Sequence, residues 1–330
     1  MFEISLKNNK TFTCASNTTI FEAAKTAGIF LEHSCLTARC RSCVVKIAEG
    51  TTKNKLDDLV LSDDEKRKNF VLSCNAMPTT DLMLDVEDLG NVTLYDKKIV
   101  PAKIQSIQKL THDVIKVSLR LPPNANFKYN SGQYVNLIKG NLKRSYSVAN
   151  AFKEKTSLEF FIKKYEKGLM SQYWFEEAKE NDLLRMEGPL GSFFLRESNY
   201  ENIVFLATGT GIAPIKAILE NIRESTSDFK HKKFFVFVGA RYKEDLFWEP
   251  NLENKNIEIK YIPVLSRQKE DWSVEKGYVQ DAVLKQKINL ENTQVYACGS
   301  NEMIQSAKKV FMQNSLKENN FFSDAFVETN

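Results

Sequence analysis

Four of the six cysteines in this 330-residue chain stand in an arrangement that constrains the fold more than any other feature. Cys35, Cys40 and Cys43 form C-x4-C-x2-C within one short stretch, and Cys74 follows after thirty intervening residues. Three thiols in one loop, met by a fourth from a distant segment, wrap a metal centre and staple the intervening chain around it. Small side chains such as Ala38 and Ser42 let backbone N–H groups approach the sulfurs. Around the loop, alternating apolar and polar residues predict strands at 2–6, 11–14 and 44–48 and a helix from Ile20 to Ala27.

The cysteine spacing is that of a plant-type [2Fe-2S] cluster, and the order of elements resembles a β-grasp ferredoxin domain. A structural zinc site usually pairs two C-x2-C knuckles, whereas the chain has one. A Rieske centre needs two histidine ligands, and His33, His112 and His231 are not paired with cysteines in that fashion. His33 reads as a loop residue and Cys14, on the second strand, as a buried or inert thiol. Three disulfides are the remaining use of six cysteines, but the metal spacing and the reducing cytosol argue against them.

The chain is long enough for two or three domains. Its 42% apolar and 27% charged residues are the balance of a folded globular protein. A net charge of +4 with scattered basic residues offers no stripe for a nucleic-acid backbone. Met1 to Lys7 alternates like a strand and lacks the layout of a signal peptide, and no apolar run nears the ~18–20 residues that span a bilayer. The expectation is a cytoplasmic protein that binds neither nucleic acid nor membrane.

A polar connection, Leu89-Gly90-Asn91 and Tyr95-Asp96-Lys97-Lys98, marks a first boundary. Beyond it, short alternating strands separated by Pro122-Pro123-Asn124 and Asn130-Ser131-Gly132 suggest a small antiparallel barrel. Within it lie Arg144-Ser145-Tyr146-Ser147, then Gly168-Leu169-Met170-Ser171 heading a helical stretch from Ser171 to Ala178, then Gly188-Pro189-Leu190-Gly191-Ser192-Phe193-Phe194. After residue 200 apolar strands alternate with helices, at Ile203 to Ala207, Phe234 to Val238, Glu258 to Val264 and Gln294 to Ala297, as in an α/β domain with a parallel sheet. The first of these strands runs into Thr208-Gly209-Thr210-Gly211-Ile212-Ala213-Pro214, a glycine turn that lets a pyrophosphate approach the backbone at a helix N-terminus, with Pro214 suited to the first turn. The last runs into Cys298-Gly299-Ser300.

Taken with the cluster loop, these segments resemble the ferredoxin–NADP reductase superfamily, whose R-x-Y-S flavin motif Arg144 to Ser147 matches in full. The resemblance implies three parts: a β-grasp [2Fe-2S] domain over 1–90, an antiparallel FAD-binding barrel over 98–197 and a parallel-sheet NAD(P)-binding domain over 198–330, a multidomain α+β and α/β architecture. It implies that Arg144 pairs with the flavin pyrophosphate, that Tyr146 packs on the isoalloxazine and that Ser147 hydrogen-bonds near its N5. Gly168, Met170 and Ser171 would hold the second part of the pyrophosphate, and Gly209, Thr210, Gly211, Pro214 and Gly299 the nicotinamide dinucleotide. Cys298 would sit beside the nicotinamide ring as hydride passes to flavin; its other reading is one more buried strand thiol. Ser266-Arg267 with Lys269 would bind a 2′-phosphate or form a solvated loop, and the reading leans to NADH, NADPH being the alternative. Arg41 departs from the pattern, in which Gly is frequent at that place: it would touch the electron acceptor or, as a solvated side chain, tune the cluster potential.

The extended segments Arg144 to Ala151 and Tyr296 to Ser300, with the tail Phe321-Phe322-Ser323-Asp324-Ala325-Phe326-Val327, are similar to CDP-4-dehydro-6-deoxyglucose reductases. That resemblance implies an enzyme passing electrons from NADH through FAD and the cluster to a pyridoxamine-phosphate-dependent dehydrase that removes the C-3 hydroxyl of a CDP-hexose, for dideoxysugars of surface polysaccharide. Phe326 would stack on the flavin until nicotinamide displaces it, or simply pack; Asp324 has the chemistry to assist a protonation and is assigned no role. The alternatives are the reductase component of a Rieske dioxygenase or diiron monooxygenase, and a non-catalytic electron-transfer subunit, against which the intact Gly209-Thr210-Gly211 and Cys298-Gly299-Ser300 segments argue.

Overall fold

The computed structural model describes residues 1–57, 60–90, 92–153, 157–225, 229, 231–251, 257–268 and 272–326, the side chain of Phe326 excepted. Asn91, Lys269 and Val327, singled out above, lie outside the described residues. The chain divides into two compact units, Met1–Thr93 and Leu94–Phe326.

The first unit opens with the hairpin β1 (Phe2–Leu6) and β2 (Thr11–Cys14), followed by α1 (Ile20–Thr26). Thr19 and Glu22 form a capping box that starts this helix: each side chain accepts the other's backbone N–H. Next come β3 (Val44–Glu49), β4 (Thr52–Asn54), α2 (Asp63–Arg67), β5 (Phe70–Leu72), β6 (Ala76–Pro78) and β7 (Leu82–Leu84). The main sheet runs β2-β1-β7-β3-β5, with β1 and β7 parallel, while β4 and β6 form a separate ribbon. Ile4, Leu6, Phe12, Ile20, Ala24, Leu31, Ile47 and Leu84 pack between sheet and helix. The cluster loop leaves this scaffold before β3 and Cys74 follows β5.

The second unit begins with six antiparallel strands in the order β11-β10-β13-β8-β9-β12. These are β8 (Lys98–Lys109), β9 (Val114–Arg120), β10 (Tyr134–Lys139), β11 (Leu142–Ser147), β12 (Leu158–Lys163) and β13 (Leu183–Leu190). The sheet curls around Val117, Leu119, Val135, Leu137, Phe160 and Met186 as the expected barrel. The expected helix at Ser171 to Ala178 begins earlier: Gly168 is the N-cap of α3 (Leu169–Gln172), which continues as a wider π-turn over Tyr173–Glu177. The shift follows from packing, because Met170, Tyr173 and Trp174 must all face the barrel core.

The chain then builds the parallel sheet from β14 (Asn202–Thr208), α4 (Ile212–Glu224), β15 (Lys233–Ala240), β16 (Glu258–Leu265), β17 (Glu275–Lys276), α5 (Val279–Lys285), β18 (Thr293–Ser300), α6 (Asn301–Gln313) and β19 (Phe321–Phe326). The strand order is β17-β16-β15-β14-β18-β19. Because β15 and β16 continue on one side of β14 and β18 lies on the other, the order reverses at β14/β18, where open α/β sheets form their ligand crevice. Barrel and parallel sheet belong to one unit: Val114, Ala149, Phe161 and Phe193 share a core with Phe205, Ile215, Ile218 and Tyr296. Among the described residues no helix is long and apolar enough to cross a membrane.

Candidate cofactor sites

The three loop cysteines and Cys74 group as two pairs. Cys43 donates to Cys74 across 3.2 Å, and the Cys35 N–H donates to Cys40 Sγ at 3.3 Å. Within each pair the two thiols are pushed in opposite directions: hydrogen bonding from Cys40, together with the Thr37 and Arg39 N–H groups, brings Cys35 down to about 5, while Cys35 pushes Cys40 well up. Hydrogen bonding from Cys43 likewise lowers Cys74. The Ala38 N–H points at Cys74 and the Ser42 N–H at Cys40. Leu36, Ala38 and Arg41 hold left-handed φ values of 56°, 57° and 65°, which turn successive N–H groups inward to the sulfurs. Among the described residues no three His, Cys, Asp or Glu side chains converge as one ion would require. Two dithiol pairs ringed by N–H donors fit a binuclear iron centre.

Cys14 is buried on β2, its thiol donating to the Thr18 carbonyl at 3.4 Å, and burial pushes it up. His33 bonds the Leu31 carbonyl through Nδ1 and lies tilted on Phe21. Arg41 is not a solvated, outward-pointing side chain. Its guanidinium grips the Glu65 carboxylate and the Val60 carbonyl, since Glu65 is fixed at hand as the N3 residue of the α2 capping box with Ser62. Burial acts to raise Glu65, but the Arg41 and Ser62 hydrogen bonds prevail and hold it at about 2.

In the barrel, Arg144 and Tyr146 are two residues apart on β11, at the edge of the sheet. The Arg144 guanidinium bonds the Lys143 carbonyl at 2.8 Å and meets no carboxylate among the described residues, which leaves donors for an anionic ligand. Trp174 Nε1 donates to the Tyr146 hydroxyl at 3.0 Å and the two rings meet edge to face, so the phenol plane is fixed; burial raises its pKa. Ser147 is buried at the end of the strand. Ser171 Oγ accepts the Tyr165 N–H at 2.8 Å and Met170 fills the core, so their side chains shape the turn, while the first N–H groups of α3 lack intrahelical acceptors. These features fit a flavin dinucleotide.

In the parallel sheet, the glycine turn and the end of β18 are interlocked. Gly209 has φ of 54° and open space where a Cβ would be. The space of a side chain is already taken at both Gly211 and Gly299: a Cβ on Gly211 would stand 2.6 Å from the Cys298 carbonyl carbon, and one on Gly299 would overlap the Thr208 hydroxyl and stand 3.1 Å from the Thr208 nitrogen. The Ser300 N–H donates to Thr208 Oγ1 at 3.2 Å, and Ser300 Oγ caps α6 by accepting from Met303. Thr210 and Pro214 are buried, Pro214 in the first turn of α4. The result is a smooth backbone cradle at the switch point, open beside Gly209, which fits a dinucleotide pyrophosphate. Cys298 is wholly buried and desolvation raises its thiol; its carbonyl meets the turn at Gly211. Asp324 pairs with Cys298 in the β18–β19 register, and Phe326 with Ser300, which brings the end of the tail to this crevice.

Three residues that shape these sites escaped the sequence reading. Trp174 was signalled by its spacing from Met170 along an apolar stripe. Glu65 was visible as the end of a Ser62-x-x-Glu65 capping box, though its tie to Arg41 was not. Lys216 on α4 bonds Glu220 one turn on, Glu159 Oε2 of β12 at 3.0 Å and the Ala149 carbonyl at 2.8 Å, and only the first of these is local in sequence.

Models of a 2Fe-2S iron-sulfur cluster binding domain, an oxidoreductase FAD-binding domain and an oxidoreductase NAD-binding domain match residues 4–79, 101–195 and 205–309. Fold, sites and domains together define an iron–sulfur flavoprotein reductase, an NAD(P)H-dependent oxidoreductase with [2Fe-2S], FAD and nicotinamide as cofactors. The chain is 37% identical over 317 residues to the CDP-6-deoxy-L-threo-D-glycero-4-hexulose-3-dehydrase reductase of Yersinia pestis, covering 96% of this chain and 95% of that one. It is 35% identical to Protein RfbI of Salmonella typhimurium, over 98% and 96% of the two chains. The protein belongs to this family of reductases, within the ferredoxin–NADP reductase superfamily. The phenol hydroxylase P5 protein of Acinetobacter pittii is 29% identical over 94% of this chain and 89% of its own length. The solved structure of Amycolatopsis cytochrome P450 reductase GcoB shares the fold with a TM-score of 0.73 at 22% identity, over 99% of both chains.

Proposed function

We propose that the protein draws electrons from NADH and delivers them singly to a pyridoxamine-phosphate-dependent CDP-6-deoxy-4-hexulose-3-dehydrase, completing C-3 deoxygenation in 3,6-dideoxyhexose synthesis. The observation that carries this reading is the 37% identity, along nearly the whole chain, to a protein named as the reductase of that dehydrase. FAD, when bound, accepts two electrons from the reduced nicotinamide and gives them up one at a time, and the [2Fe-2S] cluster relays each to the acceptor.

The chain's own residues bind and orient. Arg144 neutralises the flavin pyrophosphate, and the α3 N–H groups after Gly168, at Met170 and Ser171, take its second part. Tyr146, held by Trp174, presents a flat apolar face to the isoalloxazine, and Ser147 hydrogen-bonds near N5. Gly209, Thr210, Gly211, Pro214 and Gly299 seat the nicotinamide dinucleotide. Cys298 would lie beside the nicotinamide ring, and its carbonyl meets the glycine turn at Gly211. Phe326, whose side chain lies outside the described residues, would be the aromatic that covers the flavin face until the nicotinamide enters. Cys35, Cys40, Cys43 and Cys74 ligate the cluster.

The second reading, the reductase of an oxygenase, draws on the likeness to the phenol hydroxylase P5 protein and to the propane 2-monooxygenase reductase component of Mycolicibacterium smegmatis, each at 29% identity. Anaerobic titration with NADH, followed by visible absorption and EPR, should bleach the flavin and produce a reduced [2Fe-2S] signal. Addition of the dehydrase with its CDP-sugar should then reoxidise both. Reduction without that reoxidation would move the assignment to an oxygenase partner, and no reduction by NADH or NADPH would overturn the reductase reading.

A further inference from the structure

Arg41 lies between the second and third sulfurs of the loop, and its backbone holds a left-handed φ of 65°. That conformation is disfavoured for an L-residue relative to its right-handed one, so something must hold it. The side chain supplies the hold. The guanidinium bonds Glu65 through both nitrogens, Nη1 to Oε2 at 3.3 Å and Nη2 to Oε1, and also bonds the Val60 carbonyl. Glu65 is itself immobilised: the Ser62 N–H and hydroxyl donate to its Oε2 at 2.9 and 2.8 Å. Both charged side chains are mostly shielded, 21% and 28% exposed, so their fields are less screened than those of surface ions.

We propose that the Arg41–Glu65 ion pair is an electrostatic setting for the cluster, a matched pair of opposite charges tying the ligand loop to α2 that fixes the potential at which the cluster takes its electron. The proposal rests on the assignment of Cys35, Cys40, Cys43 and Cys74 as ligands. Taking up one electron makes the cluster one unit more negative, so a nearby positive charge favours the reduced form and a nearby negative charge the oxidised form. With both partners in place the two fields largely offset. Without the guanidinium the carboxylate acts alone, and without the carboxylate the guanidinium does. The two ends of one pair therefore push the potential in opposite directions. A mere brace behaves otherwise, because loosening the loop from either end changes the cluster's surroundings in the same sense.

The test is an EPR-monitored redox titration of the full-length protein carrying Arg41→Gln, Glu65→Gln or both. The expected result is a lower cluster potential in Arg41→Gln, a higher one in Glu65→Gln, and a double variant returned towards the wild-type value. Shifts of the same sign in the two single variants, or unshifted potentials with the cluster signal intact, would overturn the proposal. Should Arg41→Gln fail to hold its cluster, the sign of the Glu65→Gln shift and a near-wild-type potential in Arg41→Lys still decide. Absence of a [2Fe-2S] signal from the unmodified protein would instead remove the ligand assignment on which the proposal stands.

Discussion

Gly211 lies directly against the carbonyl of Cys298: a Cβ at Gly211 would overlap the carbonyl oxygen and stand 2.6 Å from its carbon. The glycine turn after β14 and the end of β18 are therefore one structure, and the nicotinamide cradle exists only while both backbones keep that approach. Gly211→Ala forces the strand ends apart. The expected outcome is a fall of about 100-fold in the rate of flavin reduction by NADH, the scale that a displacement of about 1 Å costs an oriented reaction. Stopped-flow absorbance measures it, and reduction by dithionite should be unchanged because flavin and cluster do not depend on the turn.

Much of this was legible in the sequence because it is local. A C-x4-C-x2-C loop, a R-x-Y-S strand and a Gly-Thr-Gly turn each declare a backbone shape within a few residues, and strands such as β2 alternate in burial while the apolar run of β14 is buried on both faces. What could not be read is what distant segments do to one another. Nothing near Arg41 in the chain announces Glu65, and nothing near Lys216 announces Glu159, because each ion pair is closed by the fold. The start of α3 was misplaced for a related reason: the barrel core, needing Met170, Tyr173 and Trp174 on one side, draws the helix two residues earlier than local propensity suggests. The burial of Cys298 likewise follows from α4 and the barrel closing over the sheet.

The cysteines should separate sharply by role. Cys74→Ser is expected to abolish the [2Fe-2S] absorbance and EPR signal while leaving flavin reduction by NADH intact. Cys14→Ala, at a buried site away from the loop, should keep the cluster at a stability cost of about 1–2 kcal/mol for the lost sulfur packing. A Cys14→Ala protein without the cluster signal would contradict the two-pair grouping of Cys35 with Cys40 and Cys43 with Cys74.

Lys216 joins the barrel to the helix that begins at the glycine turn, with one ammonium bonding Glu159, Glu220 and the Ala149 carbonyl. Its side chain is only 13% exposed, so Lys216→Met strips Glu220 of this cation and leaves Glu159 with Lys116, at 4.0 Å, in its place. The expected loss is about 1–3 kcal/mol at neutral pH, read by urea denaturation. Adding Glu159→Gln to the Lys216→Met protein should restore part of it, because the second change removes one of the two carboxylates that bonded Lys216. Flavin reduction by NADH should slow in the single variant more than its KM for NADH rises, since Ala149 follows the flavin strand and Lys216 rides on the nicotinamide helix.

Glu187 predicts how the second unit responds to acid. Its carboxylate accepts hydrogen bonds from Lys143, from Asn136 Nδ2 at 2.9 Å and from Lys97 at 3.0 Å, and together they hold it at about 2, against 4.5 for an unperturbed glutamate. A folded-state value below the unfolded one means that the unfolded chain takes up the proton first. The stabilisation is then complete above about pH 4.5 and is lost as the pH falls towards 2. Lys97 and Lys143 are half exposed, which screens the pair, so the contribution is set at about 1–2 kcal/mol rather than the full linkage value. Glu187→Gln should therefore lower the thermal midpoint at pH 7 and flatten its dependence on pH between 4.5 and 2, the two proteins converging at the acid end. Parallel curves for the variant and the unmodified protein across that window would show that the three partners do not hold Glu187 ionised.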